Sequence, residues 1–77
     1  MNRLIQLLDT VAVCDDIPAL GLFSGEVGAV VEILDGAYEV EFCDEDGRVY
    51  GLFTLTSDQI MPLHTRGHSL KLHLEAA

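Results

Sequence analysis

One stretch constrains this chain more than any other. Tyr38-Glu39-Val40-Glu41-Phe42 alternates apolar and acidic side chains without a break, directly after an Asp35-Gly36 pair. A period of two is the period of a strand, so Tyr38, Val40 and Phe42 share one face and both glutamates take the other. A slip of one residue would bury two carboxylates, which fixes the register. Upstream, Ala29 to Ile33 is rich in β-branched residues, the composition of a second strand. Asp-Gly between two such runs predicts a hairpin closed by a type I′ turn, with positive φ at both central residues. Gly25 and Gly28 bracket Glu26 and Val27 just before the first of these strands, a pairing suited to a tight bend.

The remaining segments supply partners for this hairpin. Thr10 to Cys14 reads as a first strand, ended by Asp15-Asp16-Ile17-Pro18. Ala19 to Ser24 is a loop whose apolar members, Phe23 among them, are expected to cap one open end of the sheet, with an exposed contact patch as the alternative for Phe23. Asp44-Glu45-Asp46-Gly47 marks a second hairpin loop. Arg48 to Leu55 follows as a strand, bent or bulged at Gly51. Thr56 to Gln59 fits a 3₁₀ turn, and Ile60 to Leu63 a short last strand whose proline argues for a sheet edge. Met1 to Leu8 is too short to assign. Residues 64–77 mix strand-like alternation with helix propensity and are read as a weakly ordered or late-packing tail after a domain of residues 1–63. Five short strands, a long first loop and a 3₁₀ turn before the last strand predict an all-β, five-stranded SH3-like barrel.

Seventy-seven residues allow one domain, and 49% apolar residues are those of a globular chain. A core this small leaves little room for a deep substrate pocket. The net charge is −9, and the four basic residues, Arg3, Arg48, Arg66 and Lys71, are scattered. Nucleic-acid affinity comes from Lys and Arg neutralising phosphates, so nucleic acid is an unexpected partner. An anionic membrane surface is disfavoured on the same ground. No apolar run reaches the roughly 18 residues of a membrane span, and Met1 to Asp9 is short for a signal peptide. The expected location is the cytoplasm, with Cys14 and Cys43 reduced. These cysteines end the first and third strands, which are not neighbours in such a meander, and they are expected to be small buried side chains.

Chemistry-bearing constellations are sparse. Asp44-Glu45-Asp46-Gly47 lacks the alternating ligands and distal glutamate of a calcium loop. His64 and His68 would share a helix face, but no further ligand lies at matching spacing and Gly67 interrupts the run, so no metal site is expected. The GEVG segment has neither the P-loop lysine nor a dinucleotide spacing. Neither catalysis nor a cofactor is expected.

The blocks LLDTVAV, DIPALGL, SGEVGAVVEI, YEVEF, GRVYGLFTL and QIMPL, together spanning Leu7 to Leu63, resemble a family of small bacterial domains of unknown function frequent in cyanobacteria. That resemblance implies a compact SH3-like β fold with no established activity. Ser24 to Ile33 is also similar to the glycine-and-valine strand of KOW-type modules in ribosomal and transcription proteins, which bind RNA or protein. Those modules are usually basic, whereas this block carries Glu26 and Glu32 and no lysine. The favoured function is a small acidic protein-interaction module with a basic partner, acting as an inhibitory, antitoxin-like protein or an accessory subunit. The alternatives are a KOW-like RNA-binding module and a structural subunit of a larger complex. A homo-oligomer is also compatible. The expected contact residues are Phe23, Glu39, Glu41, Asp44, Glu45, Asp46 and Tyr50, with Tyr38 a further candidate for an aromatic cleft beside the first loop.

Overall fold

The computed structural model describes residues 5–66 and 68–70. Five strands, β1 (Thr10–Val13), β2 (Val27–Leu34), β3 (Ala37–Cys43), β4 (Val49–Leu55) and β5 (Ile60–Pro62), form one antiparallel sheet in the order β4-β3-β2-β1-β5. The fold is all-β, as the spacing of the strand-like runs requires. No pairing joins β4 to β5 among the described residues, so the sheet curls without closing.

The alternation in β3 organises the core. Val40 and Phe42 are fully buried, and Tyr38 packs against the same cluster. Their cross-strand partners continue it, with Val30 on β2 opposite Val40 and Leu55 on β4 opposite Tyr38. Val11, Val13, Leu22, Ile60 and Ile5 complete the cluster. Gly28 pairs with Phe42 and is glycine for want of room. A Cβ there would lie 2.8 Å from the Glu41 carbonyl oxygen and 2.8 Å from Val40 Cγ1.

The β2–β3 hairpin has the expected two-residue loop, since Leu34 pairs with Ala37. Only Gly36 takes a positive φ, however, at 79°. Asp35 stays on the negative side, so the turn is not type I′. The bulge at Val30/Glu32, which places Val31 out of the ladder, supplies twist that the turn would otherwise provide. A second bulge lies opposite Phe42 and Cys43, where β4 enters the sheet at Val49 to Gly51. The bend expected at Gly51 is there, with the Phe53 ring packed over the place where a Cβ would stand.

The first loop is more built than the sequence suggests. Its Pro18–Leu20 segment is a 3₁₀ turn closed by Gly21, and Ile17 and Leu22 bridge across it through backbone bonds of 2.8 and 3.2 Å. Thr56 to Gln59, where a single 3₁₀ turn is expected, closes through one i→i+3 bond, Gln59 N–H donating to the Thr56 carbonyl at 3.0 Å. The residues before β1 form a turn. Leu8, at φ 69°, donates its N–H to the Val30 carbonyl at 2.7 Å, and Asp9 is fully buried.

Beyond β5, a two-stranded hairpin pairs β6 (His64–Thr65) with β7 (His68–Ser69). His64 and His68 therefore stand on opposing strands and not on one helix face. Leu70 then returns to the sheet: its N–H donates to Leu63 and its carbonyl accepts from Thr10, at 2.9 and 2.7 Å. The strand-like positions Leu72 and Leu74 lie outside the described residues. No helix among the described residues is long and apolar enough to cross a membrane.

Candidate functional site

The sheet has a second face, and it carries the features a partner could read. Val11 and Val13 point into the core, so Ala12 lies on the opposite side. Ala12 pairs with Met61 on β5 and with Val27 on β2. The Gly28–Phe42 pair sets Val27 beside Cys43, which in turn pairs with Val49 on β4. A row of Met61, Ala12, Val27, Cys43 and Val49 thus crosses all five strands. In the adjoining row, Glu41 stands between Ala29 and Leu52. Val27, Val49, Leu52 and Met61 are all exposed, with Leu52 at 54%.

The expected contact residues divide over this surface. Glu39 and Glu41 lie on the outer face of β3 but are half-buried, not free in solvent. The Thr54 hydroxyl donates to Glu39 Oε1, and Cys43 Sγ sits 4.0 Å from Glu41 Oε1. Asp44, Glu45 and Asp46 are exposed in the β3–β4 loop. Asp44 Oδ1 accepts the backbone N–H groups of Asp46 and Arg48, both at 2.9 Å, which fixes the loop's shape.

Phe23 does not cap the sheet. Leu22 does that work at 1% exposure, while Phe23 projects at 65%. The cause is the Ile17–Leu22 bridge, which turns the residue before Phe23 inward. Phe23 and Tyr50 meet at one carboxylate, that of Glu26. The Phe23 backbone N–H donates to Oε2, and the Tyr50 hydroxyl donates to Oε1 at 2.6 Å. This ties the first loop to β4. Partial burial, the Glu26 hydrogen bond and the negative charges of Glu26, Cys43 and Asp44 push the Tyr50 hydroxyl up to about 12. Tyr50 also rests its ring on Phe42, with centroids 6.1 Å apart. Tyr38 is not part of this group. It pairs with Ile33 and Leu55 at the far end of β3 and belongs to the core.

Both cysteines are free and half-buried, where buried side chains were expected. Cys43 follows Phe42 in a strand of period two, so it must take the outer face. Cys14 lies past the end of β1, where its carbonyl accepts the Ser24 hydroxyl at 2.9 Å. Among the described residues, no group of three or more His, Cys, Asp or Glu side chains is placed to hold a metal ion.

Glu26, just before β2, escaped the sequence reading, as did four residues of the outer face: Val27, Met61, Val49 and Leu52. A signal for the last two was present. Val49-Tyr50-Gly51-Leu52-Phe53-Thr54-Leu55 does not alternate, so apolar side chains must point both ways from it. On a strand with one neighbour and one covered face, the other set is left in solvent.

Fold and surface together define a small all-β domain whose outer face carries exposed apolar side chains beside the carboxylates of β3 and of the β3–β4 loop. The chain belongs to the DUF4926 family, a domain of unknown function, whose model matches residues 7–62. No curated protein and no solved structure matches it.

Proposed function

We propose that this domain is a protein-interaction module whose partner presents a basic surface around an apolar centre. The observation that carries this reading is the outer face. Exposed Val27, Val49 and Leu52 form an apolar strip, with Met61 beyond the buried Ala12, Glu39 and Glu41 beside it on β3, and Asp44, Glu45 and Asp46 in the adjoining loop. Exposed apolar side chains that run together mark interaction sites more often than chance requires. The net charge of −9 selects the sign of the partner, steering a basic surface inward and repelling phosphate backbones. Catalysis plays no part in this reading. A bacterial cytoplasmic setting is part of this reading, supported by the resemblance to small cyanobacterial domains, and an inhibitory or accessory-subunit role there would use such a face. The KOW-like alternative draws no support from a block that carries Glu26 and Glu32 in place of lysines.

The test is capture from extract of the source cell, with the wild type compared against Leu52→Ser and against a variant with Asp44, Glu45 and Asp46 changed to Asn, Gln and Asn. A specific partner should be lost from the first variant and bind more slowly to the second. Its association rate should fall as salt rises. Tight binding of an RNA oligonucleotide at about 0.15 M salt would overturn the reading.

A further inference from the structure

We propose that β4 is a docking edge, onto which an extended basic segment of the partner protein adds as a sixth strand. This deepens the reading above and rests on it. Among the described residues, β4 is the terminal strand of the sheet and pairs only with β3. Alternate residues of such a strand direct their N–H and C=O groups away from the sheet, which makes a template for another strand.

Natural edges are usually blunted by short length, proline, lysine or a covering segment. The opposite edge, β5, follows that rule: it has three residues and ends at Pro62. β4 does not. It has seven residues, none charged and none proline. Its bulge is confined to the entry at Val49 to Gly51, and the pairing from Phe42–Gly51 to Tyr38–Leu55 runs without a break. Val49, Tyr50 and Leu52 are exposed along it. An added strand would cover Val49 and Leu52 while main-chain hydrogen bonds supply affinity, the usual division of labour in strand addition.

Charge selects the occupant. Asp44, Glu45 and Asp46 stand before β4, Asp58 stands in the turn after it, and Glu39 and Glu41 lie one strand inward. Arg48 is the one cation beside this edge among the described residues. A second copy of the chain fits poorly. Antiparallel pairing of two β4 strands would set the Asp44–Asp46 loop of each against the Asp58 turn of the other. A segment alternating lysine or arginine with apolar residues meets both the strip and the carboxylates.

The test uses the intact protein and a synthetic peptide of about eight residues, an ordinary strand length, alternating lysine with valine. Two companions are needed: a glutamate-valine peptide, and the lysine-valine peptide with two central backbone nitrogens methylated. Binding is followed by amide shifts and by hydrogen exchange of Gly51 to Leu55. The lysine-valine peptide should slow exchange in β4 by about tenfold or more, and methylation should weaken binding by about tenfold, the worth of one or two backbone hydrogen bonds. Binding without β4 protection, unchanged by methylation, would overturn strand addition and leave the basic-partner reading standing. Equal binding of the glutamate-valine peptide, or no binding of the lysine-valine one, would overturn both. Protection of β4 without peptide, growing with protein concentration, would assign the edge to a second copy and overturn the proposal.

Discussion

The two faces of the sheet share one backbone and differ in what they are asked to do. The inner face is filled by Val11, Val13, Val30, Val40, Phe42 and Leu55, all at 2% exposure or less. The outer face carries Val27, Val49, Leu52 and Met61 in solvent, with Glu39 and Glu41 beside them on β3. Both faces contain apolar side chains, so composition alone does not separate them. Register does. The inner side chains have already exchanged water for protein, and their contribution to stability is taken at folding. The outer ones retain that exchange for a second event, and it is available for association.

Mutation should separate the faces sharply. Phe42→Ala removes a fully buried ring that touches Phe53 and Tyr50 and should cost about 3–5 kcal/mol. In a domain of this size such a loss takes most of the available stability. Leu52→Ala, one strand away on the outer side, should change stability by less than about 0.5 kcal/mol. Urea unfolding followed by circular dichroism measures both. Comparable losses at the two sites would show that the outer face is covered in solution.

Gly28→Ala probes the boundary from the backbone side. The added methyl would stand 2.8 Å from the Glu41 carbonyl oxygen and 3.0 Å from Phe42 Cδ1. The carbonyl belongs to a central strand and cannot move without disturbing the β2–β3 ladder. A loss of about 1–3 kcal/mol is expected, as for other overpacked cores. A neutral result in the same urea assay would mean that β2 and β3 can separate locally at little cost.

Truncation after Leu63 should cost less, about 1–2 kcal/mol, the range for a displaced hydrogen-bond pair. It removes the β6–β7 hairpin and Leu70, whose carbonyl accepts the Thr10 N–H. The Leu63 carbonyl, released by Leu70, then becomes available to Thr10, since Leu63 N–H already donates to the Thr10 carbonyl at 2.9 Å. The shortened chain should unfold in one cooperative transition. An unfolded product would move the domain boundary beyond Leu63.

The inner face was legible from sequence because burial imposes a strict rule. Tyr38, Val40 and Phe42 could face only one way, and the hairpins around them followed from Asp35-Gly36 and Asp44-Glu45-Asp46-Gly47. The outer face was legible only in part, because solvent tolerates most side chains and imposes no period. Cys43 was misassigned for ignoring the alternation that placed Phe42. The capping reading of Phe23 failed, and its exposed alternative held, because its direction depends on the Ile17–Leu22 bridge, a contact within a loop that shows no period. Glu26 carried no local signal: its role comes from Tyr50, 24 residues away.

A small, pH-dependent effect lies where the two faces meet. Tyr50 rests its ring on Phe42 at the rim of the core, and its hydroxyl donates to Glu26 on the loop side. Burial and that carboxylate raise the Tyr50 hydroxyl from its ordinary 10.0 to about 12. The folded state therefore holds this proton more tightly than the unfolded chain does. By linkage, the stabilisation is complete below pH 10 and is lost as pH rises from 10 toward 12. The ring is half exposed, so solvent screens the pair and the contribution is small, about 0.5 kcal/mol. Tyr50→Phe keeps the ring on Phe42 and removes only the hydroxyl. The difference in urea midpoint between wild type and this variant should be constant below pH 10 and shrink above it. Equal midpoints for the two proteins at every pH would show that Tyr50 contributes through its ring alone, and that the first loop and β4 are joined by packing with no help from Glu26.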